Sequence, residues 1–178
     1  MIAYDKTGAV FALSEGTDLL LHDGESEGPL WQRSLDGTIV GIGITADQVC
    51  AVTASGTAQW FTARQDSVQR TVQLEAGAQH AAIDVAADRL VAVTERGVLR
   101  VAGGETTKIA DDRGTCIALA PDGTTAIGTV TELVTIGLDG TRTACTLPGP
   151  GCSMIMVFSP AFSNFSYGVI VRVRRLPF

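Results

Sequence analysis

The sequence predicts an all-β fold assembled from repeated units of four short antiparallel strands. Three observations predict it. Segments rich in Val, Thr and Ala alternate with glycine-containing turns along most of the chain, which is the pattern of short strands joined tightly. Two independent sets of landmarks recur at a common spacing of roughly 40 residues. No stretch carries the sustained 3.6-residue apolar period of an amphipathic helix.

The first set of landmarks is a strand end, a turn centred on Asp and an alternating strand. It reads Ile44-Thr-Ala-Asp-Gln-Val-Cys-Ala-Val-Thr53, then Val85-Ala-Ala-Asp-Arg-Leu-Val-Ala-Val-Thr94, then Leu119-Ala-Pro-Asp-Gly-Thr-Thr-Ala-Ile-Gly128. A fourth copy stands at Ile2-Ala-Tyr-Asp-Lys-Thr-Gly-Ala-Val-Phe-Ala-Leu13, so the turn aspartates are Asp5, Asp47, Asp88 and Asp122. The second set follows each alternating strand: a Gly turn, a strand, another turn and a strand ending on an aliphatic residue. Those endings are Leu35, Leu74, Ile109 and Leu147.

A unit of about 40 residues with four strands has the size of a propeller blade. The physical logic suits this composition, because one sheet cannot bury both of its faces alone, whereas blades stacked face to face can. The expected architecture is therefore a run of β-propeller-type repeats with four to five blades. About four units occupy residues 1–147, and residues 148–178 form either a degenerate fifth unit or an aberrant tail. Closed propellers have about four to eight blades. Three outcomes are open: a small closed ring, a ring completed by a second chain, or a fragment. An open arc would expose a blade edge through which copies of the chain could associate.

The segment Leu119-Ala-Pro-Asp-Gly123 resembles the turn of WD40-type blades. The segment Leu21-His-Asp-Gly-Glu-Ser-Glu-Gly-Pro-Leu-Trp31 is similar to the strand–turn–Trp element of quinoprotein-like (PQQ-type) propeller repeats. The resemblance covers residues 1 to about 147 and implies the superfamily fold, with no particular family. The Trp-Asp and Gly-His dipeptides of orthodox WD40 blades do not occur in the chain.

Composition narrows the function classes. Of the 178 residues, 46% are hydrophobic and 18% charged, which argues against disorder. A net charge of −6 and a pI near 4.8 argue against a nucleic-acid footprint. Lysines occur only at Lys6 and Lys108, and Asn164 is the sole Asn, a bias expected of a GC-rich bacterial genome. The N-terminal residues lack a basic region followed by an apolar run, so a cytoplasmic location is expected.

The tail differs from the rest. After Asp139 there is no acidic residue, and Thr143 to Val171 carries no charge. A membrane anchor is disfavoured there, because Ser153, Ser159, Pro160, Ser163, Asn164, Ser166 and Gly168 interrupt the run. Val169, Val171 and Val173 alternate as in a strand, and Val157-Phe-Ser-Pro-Ala-Phe162 can be read as a degraded fifth turn, with an aberrant tail as the alternative.

No residue is assigned a catalytic, cofactor-binding or metal-binding role. Cys50, Cys116, Cys145 and Cys152 lack C-x-x-C spacing and read as buried small hydrophobes. Only Cys145 and Cys152 are close enough in sequence for a local bridge. His22 and His80 lie in different repeats and read as turn or surface residues. Asp111-Asp112 lacks the spaced ligands of a calcium loop. The Asp-Gly pairs at Asp23, Asp36, Asp122 and Asp139 read as hairpin turns with positive φ at Gly. Ser14 has no nucleophile elbow, and Gly41-Ile-Gly43 lies in a strand without a following helix. Asn164-Phe-Ser166 is a glycosylation sequon that means nothing without a secretory route. Trp31 and Trp60 are expected to pack between blades.

The expected function is accordingly a non-enzymatic interaction or scaffold module that binds a protein partner through loops at one end of the stack. The rival is a propeller with a small-molecule or catalytic site over its central channel. That version needs ionisable side chains from several blades to converge at equivalent repeat positions.

Overall fold

The computed structural model describes residues 1–74, 77–111 and 113–146 in full, and beyond them the backbone of four short strand segments within 152–175. Every regular element among the described residues is a strand, and no helix occurs there. The first sheet holds β1 (Ile2–Tyr4), β2 (Phe11–Glu15), β3 (Asp18–His22) and β4 (Trp31–Ser34). The second holds β5 (Ile39–Ile44), β6 (Gln48–Thr53), β7 (Thr57–Thr62) and β8 (Val68–Gln73). β9 (Ala78–Asp84), β10 (Arg89–Thr94), β11 (Gly97–Ala102) and β12 (Glu105–Ala110) form the third. The fourth comprises β13 (Cys116–Leu119), β14 (Thr125–Gly128), β15 (Glu132–Ile136) and β16 (Arg142–Thr146).

Each sheet is an antiparallel meander in which strands pair in chain order. The predicted repeat is thus four blades, with the turn aspartates between the first and second strand of each. The aliphatic landmarks Leu35 and Leu74 directly follow β4 and β8, and each donates its amide back across the preceding hairpin, to Thr17 and Gly56. The first strands β1, β5, β9 and β13 lie side by side in succession, so the blades converge on them and fan outward. Close approach is built in there. A Cβ added at Gly41 of β5 would stand 2.7 Å from Ala81 Cβ of β9, and one at Gly43 2.7 Å from Ile83 Cβ.

Strand alternation sends successive side chains into different seams. In β6, Val49 and Ala51 face blade 1 while Cys50 and Val52 face blade 3. The first seam joins Ala12, Leu19, Leu21 and Trp31 to Ile39, Val49, Ala51, Phe61 and Ala63. The second joins Val52, Ala58, Trp60 and Leu74 to Leu90, Ala92, Leu99 and Val101. Val93 and Val98 meet Ile127, Val134 and Ile136 in the third. The central strands β6 and β10 are buried on both faces, where the sequence predicts an alternation of faces; packing between two neighbouring blades is the reason.

Arginines tie the seams from outside. Arg33 of blade 1 reaches Asp66 of blade 2 at 2.7 Å, with its guanidinium 5.5 Å from the Phe61 ring centroid. Arg70 of blade 2 lies 3.9 Å over the Trp60 ring and donates through both terminal nitrogens to Asp88 of blade 3. Arg100 of blade 3 donates to the Gly137 carbonyl of blade 4.

Beyond blade 4, β17 (Cys152–Ser153) pairs with β20 (Arg174–Arg175), and β18 (Met156–Ser159) pairs with β19 (Gly168–Val171). β18 lies beside β13, so the stack continues past the fourth blade in the same direction. The side chains of residues 147–178 lie outside the described residues. With them lie the alternation of Val169, Val171 and Val173, the turn at Pro160, the sequon and the Cys152 end of a local bridge. Among the described residues, no helix is long and apolar enough to cross a membrane.

Candidate functional site

The turns between first and second strands gather at one end of the stack, and two clefts open there. A cleft of about 260 Å³ is lined by Asp5, Lys6 and Thr7 of blade 1, by Ile44, Thr45 and Ala46 of blade 2, and by Asp84, Val85 and Ala86 of blade 3. It sits where three blades converge. A second cleft, of about 360 Å³, lies between blades 1 and 2. Its walls are Ala9, Val10, Leu30, Ala46 and Ala63, with Asp23, Glu25 and Arg64 supplying charge. Ala46 lines both.

The carboxylates around these clefts are held by their own turns. Thr7 donates its hydroxyl to Asp5 at 2.7 Å, and the Val10 amide donates at 3.1 Å; these bonds hold the Asp5 carboxyl below its ordinary range. Asp23 accepts from the amides of Ser26 and Glu25 at 2.8 and 3.1 Å, which lowers its pKa in the same way. Asp84 accepts from the Ala87 amide and from Arg89. Asp5 and Asp23, kept ionised by such donors, are fixed negative charges, poorly suited to taking up a proton near neutral pH. The arrangement can orient a cation or the amides of an extended chain.

The four turn aspartates do not act alike. Asp5 and Asp122 bond the amides of their own turns, to Val10 and Thr124. Asp88, at φ 49°, turns to Arg70 instead, and the Asp47 carbonyl accepts the Ala63 amide. Identical positions in the repeat therefore take different partners.

Other singled-out residues fall as follows. Trp31 and Trp60 pack between blades as expected, and Trp31 donates its indole N–H to the Ala63 carbonyl at 3.0 Å. His80 is exposed, on β9. His22 is neither in a turn nor fully at the surface: it lies half-buried on β3, stacked on Phe11 with ring centroids 4.8 Å apart. Ser14 is buried in β2 and Gly41 and Gly43 lie in β5. Asp111 is exposed and pairs with Lys108, while Asp112 lies outside the described residues. The cysteines differ from the uniform expectation. Cys50 is buried, Cys116 is half-buried and Cys145 is an exposed free thiol, because β16 is an outer strand with every residue exposed. Among the described residues, no group of three or more His, Cys, Asp or Glu is placed to hold a metal ion.

One Asp-Gly pair departs from its predicted role. Gly24, Gly123 and Gly140 have positive φ as hairpin residues do, but Gly37 does not. Asp36 lies in the connection from β4 to β5 and accepts hydroxyl hydrogen bonds from Thr53 at 3.0 Å and Thr57 at 2.6 Å. Those threonines flank a Gly turn of a different hairpin, so sequence spacing alone carried no signal for this bond.

The convergence of four meanders on their first strands makes this chain a β-propeller. Three solved structures similar in fold are β-propeller proteins. A hydrazine synthase of Kuenenia stuttgartiensis matches with a TM-score of 0.73 at 10% identity, over 89% of this chain and 52% of its own. The BBS1N chain solved in complex with ARL6DN matches at 0.74 and 12%, over 92% of this chain and 57% of its own. The dihydro-heme d1 dehydrogenase NirN, solved in complex with DHE, matches at 0.69 and 11%, over 98% and 44%. The chain thus spans about half the length of these structures. No protein-family model and no curated protein sequence matches it.

Proposed function

We propose that this chain is a non-enzymatic propeller module that binds an extended segment of a partner protein across the turn end of its blades. The observation that carries the reading is the pair of adjoining clefts sharing Ala46, lined by small apolar side chains and by the carboxylates Asp5, Asp23, Glu25 and Asp84 against the two cations Lys6 and Arg64. An extended peptide suits a narrow groove between two blades, with small pockets for alternate side chains and backbone groups for hydrogen bonding. The excess of carboxylates over cations in the lining and the overall charge of −6 favour a segment carrying Arg or Lys beside an aliphatic residue. A cytoplasmic location belongs to the same reading, supported by the exposed free thiol of Cys145. The reading leans on neither the WD40-type nor the quinoprotein-type resemblance.

The test is a peptide array probed with the purified chain, followed by titration of the best binders. Basic–aliphatic peptides are expected to bind, and the double variant Glu25→Lys, Leu30→Ser is expected to weaken them at least tenfold without moving the thermal midpoint. A second reading, a small-molecule site in the cleft at Asp5, Thr7 and Asp84, draws on the meeting of three blades there. Thermal stabilisation by a small ligand, with no peptide binding, would put that reading first.

A further inference from the structure

The cleft between blades 1 and 2 holds two opposite charges that the fold leaves unmet. Its lining includes Glu25, in the β3–β4 connection of blade 1, and Arg64, in the β7–β8 connection of blade 2. Among the described residues, neither the Glu25 carboxylate nor the Arg64 guanidinium has a hydrogen bond or an ion pair, with each other or with a third group. The carboxylates closest in sequence are already committed. Both Asp23 oxygens accept from their own turn, Oδ1 from the Glu25 and Ser26 amides and Oδ2 from the Ser26 hydroxyl. Asp66, in the same connection as Arg64, is held by Arg33 at 2.7 Å. Either unmet charge alone would be an ordinary solvated side chain. Both belong to one lining, however, together with the apolar side chains of Val10, Leu30 and Ala63. A ligand that complements such a cleft carries a cation, a carboxylate and an apolar group.

We infer that the partner segment is amphoteric: a basic residue for Glu25 and an acidic residue for Arg64, on either side of an aliphatic residue that rests on Val10 and Leu30. The inference rests on the peptide-binding reading above and sharpens it, since an excess of carboxylates alone asks only for a basic residue. The carboxylate is that of a side chain within the segment. The cleft meets its neighbour at Ala46, which gives an extended chain room to pass rather than end there. In an extended chain the two residues flanking a third share a side, roughly 7 Å apart, so their long side chains reach the two walls together. Arg64 serves selection more than affinity. An exposed ion pair adds little to binding, whereas a like charge in the same place repels. Arg64 thus rejects segments with a second basic residue, which the overall charge of −6 would otherwise attract.

The test is titration of the full chain with capped, fluorescently labelled peptides read by anisotropy. Three peptide cores are compared, each in both directions: lysine–leucine–glutamate, lysine–leucine–glutamine and lysine–leucine–lysine. The wild-type chain is expected to prefer the glutamate core about fivefold over the glutamine core and about tenfold over the lysine core. Arg64→Glu is expected to invert that order and Arg64→Gln to flatten it. Thermal midpoints should stay unchanged, because the Arg64 side chain has no partner to lose. In about 1 M salt the preference should shrink while binding through leucine persists. A wild-type chain that ranks the lysine core first, or ignores the third residue, would overturn the inference and leave the peptide-binding reading standing without Arg64. A preference for glutamate that outlasts Arg64→Glu would sink it too. Tighter binding of an uncapped peptide ending in leucine would assign Arg64 a chain terminus instead of a side chain. Binding to none of these peptides, with free lysine or glutamate bound in their place, would remove both the inference and the reading beneath it.

Discussion

Thr125 and Trp31 are both polar-tipped residues in seams, and they meet burial differently. The Trp31 indole finds the Ala63 carbonyl across the first seam, so its ring is buried with the donor satisfied. Thr125 is fully buried on the blade 3 side of β14, and its hydroxyl has no hydrogen-bond partner. An unpaired buried hydroxyl costs about 1–3 kcal/mol relative to a paired one. Valine has nearly the same shape and a higher preference for strands. Thr125→Val is therefore expected to leave the fold unchanged and raise stability by about 1 kcal/mol, read as a shift of the urea midpoint. A loss of stability would mean that the hydroxyl has a partner, such as an ordered water. Trp31 was legible as a seam residue from its type alone. The state of Thr125 was not, because what lies opposite a hydroxyl in a seam is set by a blade far away in sequence.

The connection from β4 to β5 shows how one element steers the next. Asp36 accepts from Thr57 and Thr53, and these bonds, with Thr57 foremost, hold its carboxyl below the ordinary range. The bond joins the link between blades 1 and 2 to the β6–β7 hairpin and so helps set where blade 2 begins. A carboxyl with a lowered folded pKa contributes stability above its unfolded value, near about 3.9, and loses that contribution as pH falls through the folded value. The thermal midpoint of the wild-type chain should thus exceed that of Asp36→Asn at about pH 6, with the gap closing towards about pH 3. A gap that widens on acidification would contradict this assignment. The other Asp-Gly turns were readable as hairpins from two-residue chemistry. This one was mistaken for a hairpin because its partners lie across the next strand, where spacing says nothing.

At the scale of the whole molecule, the 40-residue recurrence exposed the blades, their turns and their order, because each blade is one contiguous segment with local pairing. The clefts were far less legible. Their walls come from three blades, and the repeat equivalence of Asp5, Asp47, Asp88 and Asp122 concealed three different kinds of partner.

The meander order of the sheets also governs how the molecule comes apart. Each blade touches its immediate neighbours along a line of first strands, so disruption need not be all-or-none and can travel inward from whichever end is least supported. Blade 3 is clasped on both sides, while blade 1 in a single chain is clasped on one. Amide hydrogen exchange should run fastest in β1 to β3 and slowest in β10 and β11, by at least tenfold. Equal protection of the two blades would show that the arc melts as one body. Otherwise it peels like a fan opened from its outermost rib, and whatever holds that rib sets how long the rest stays shut.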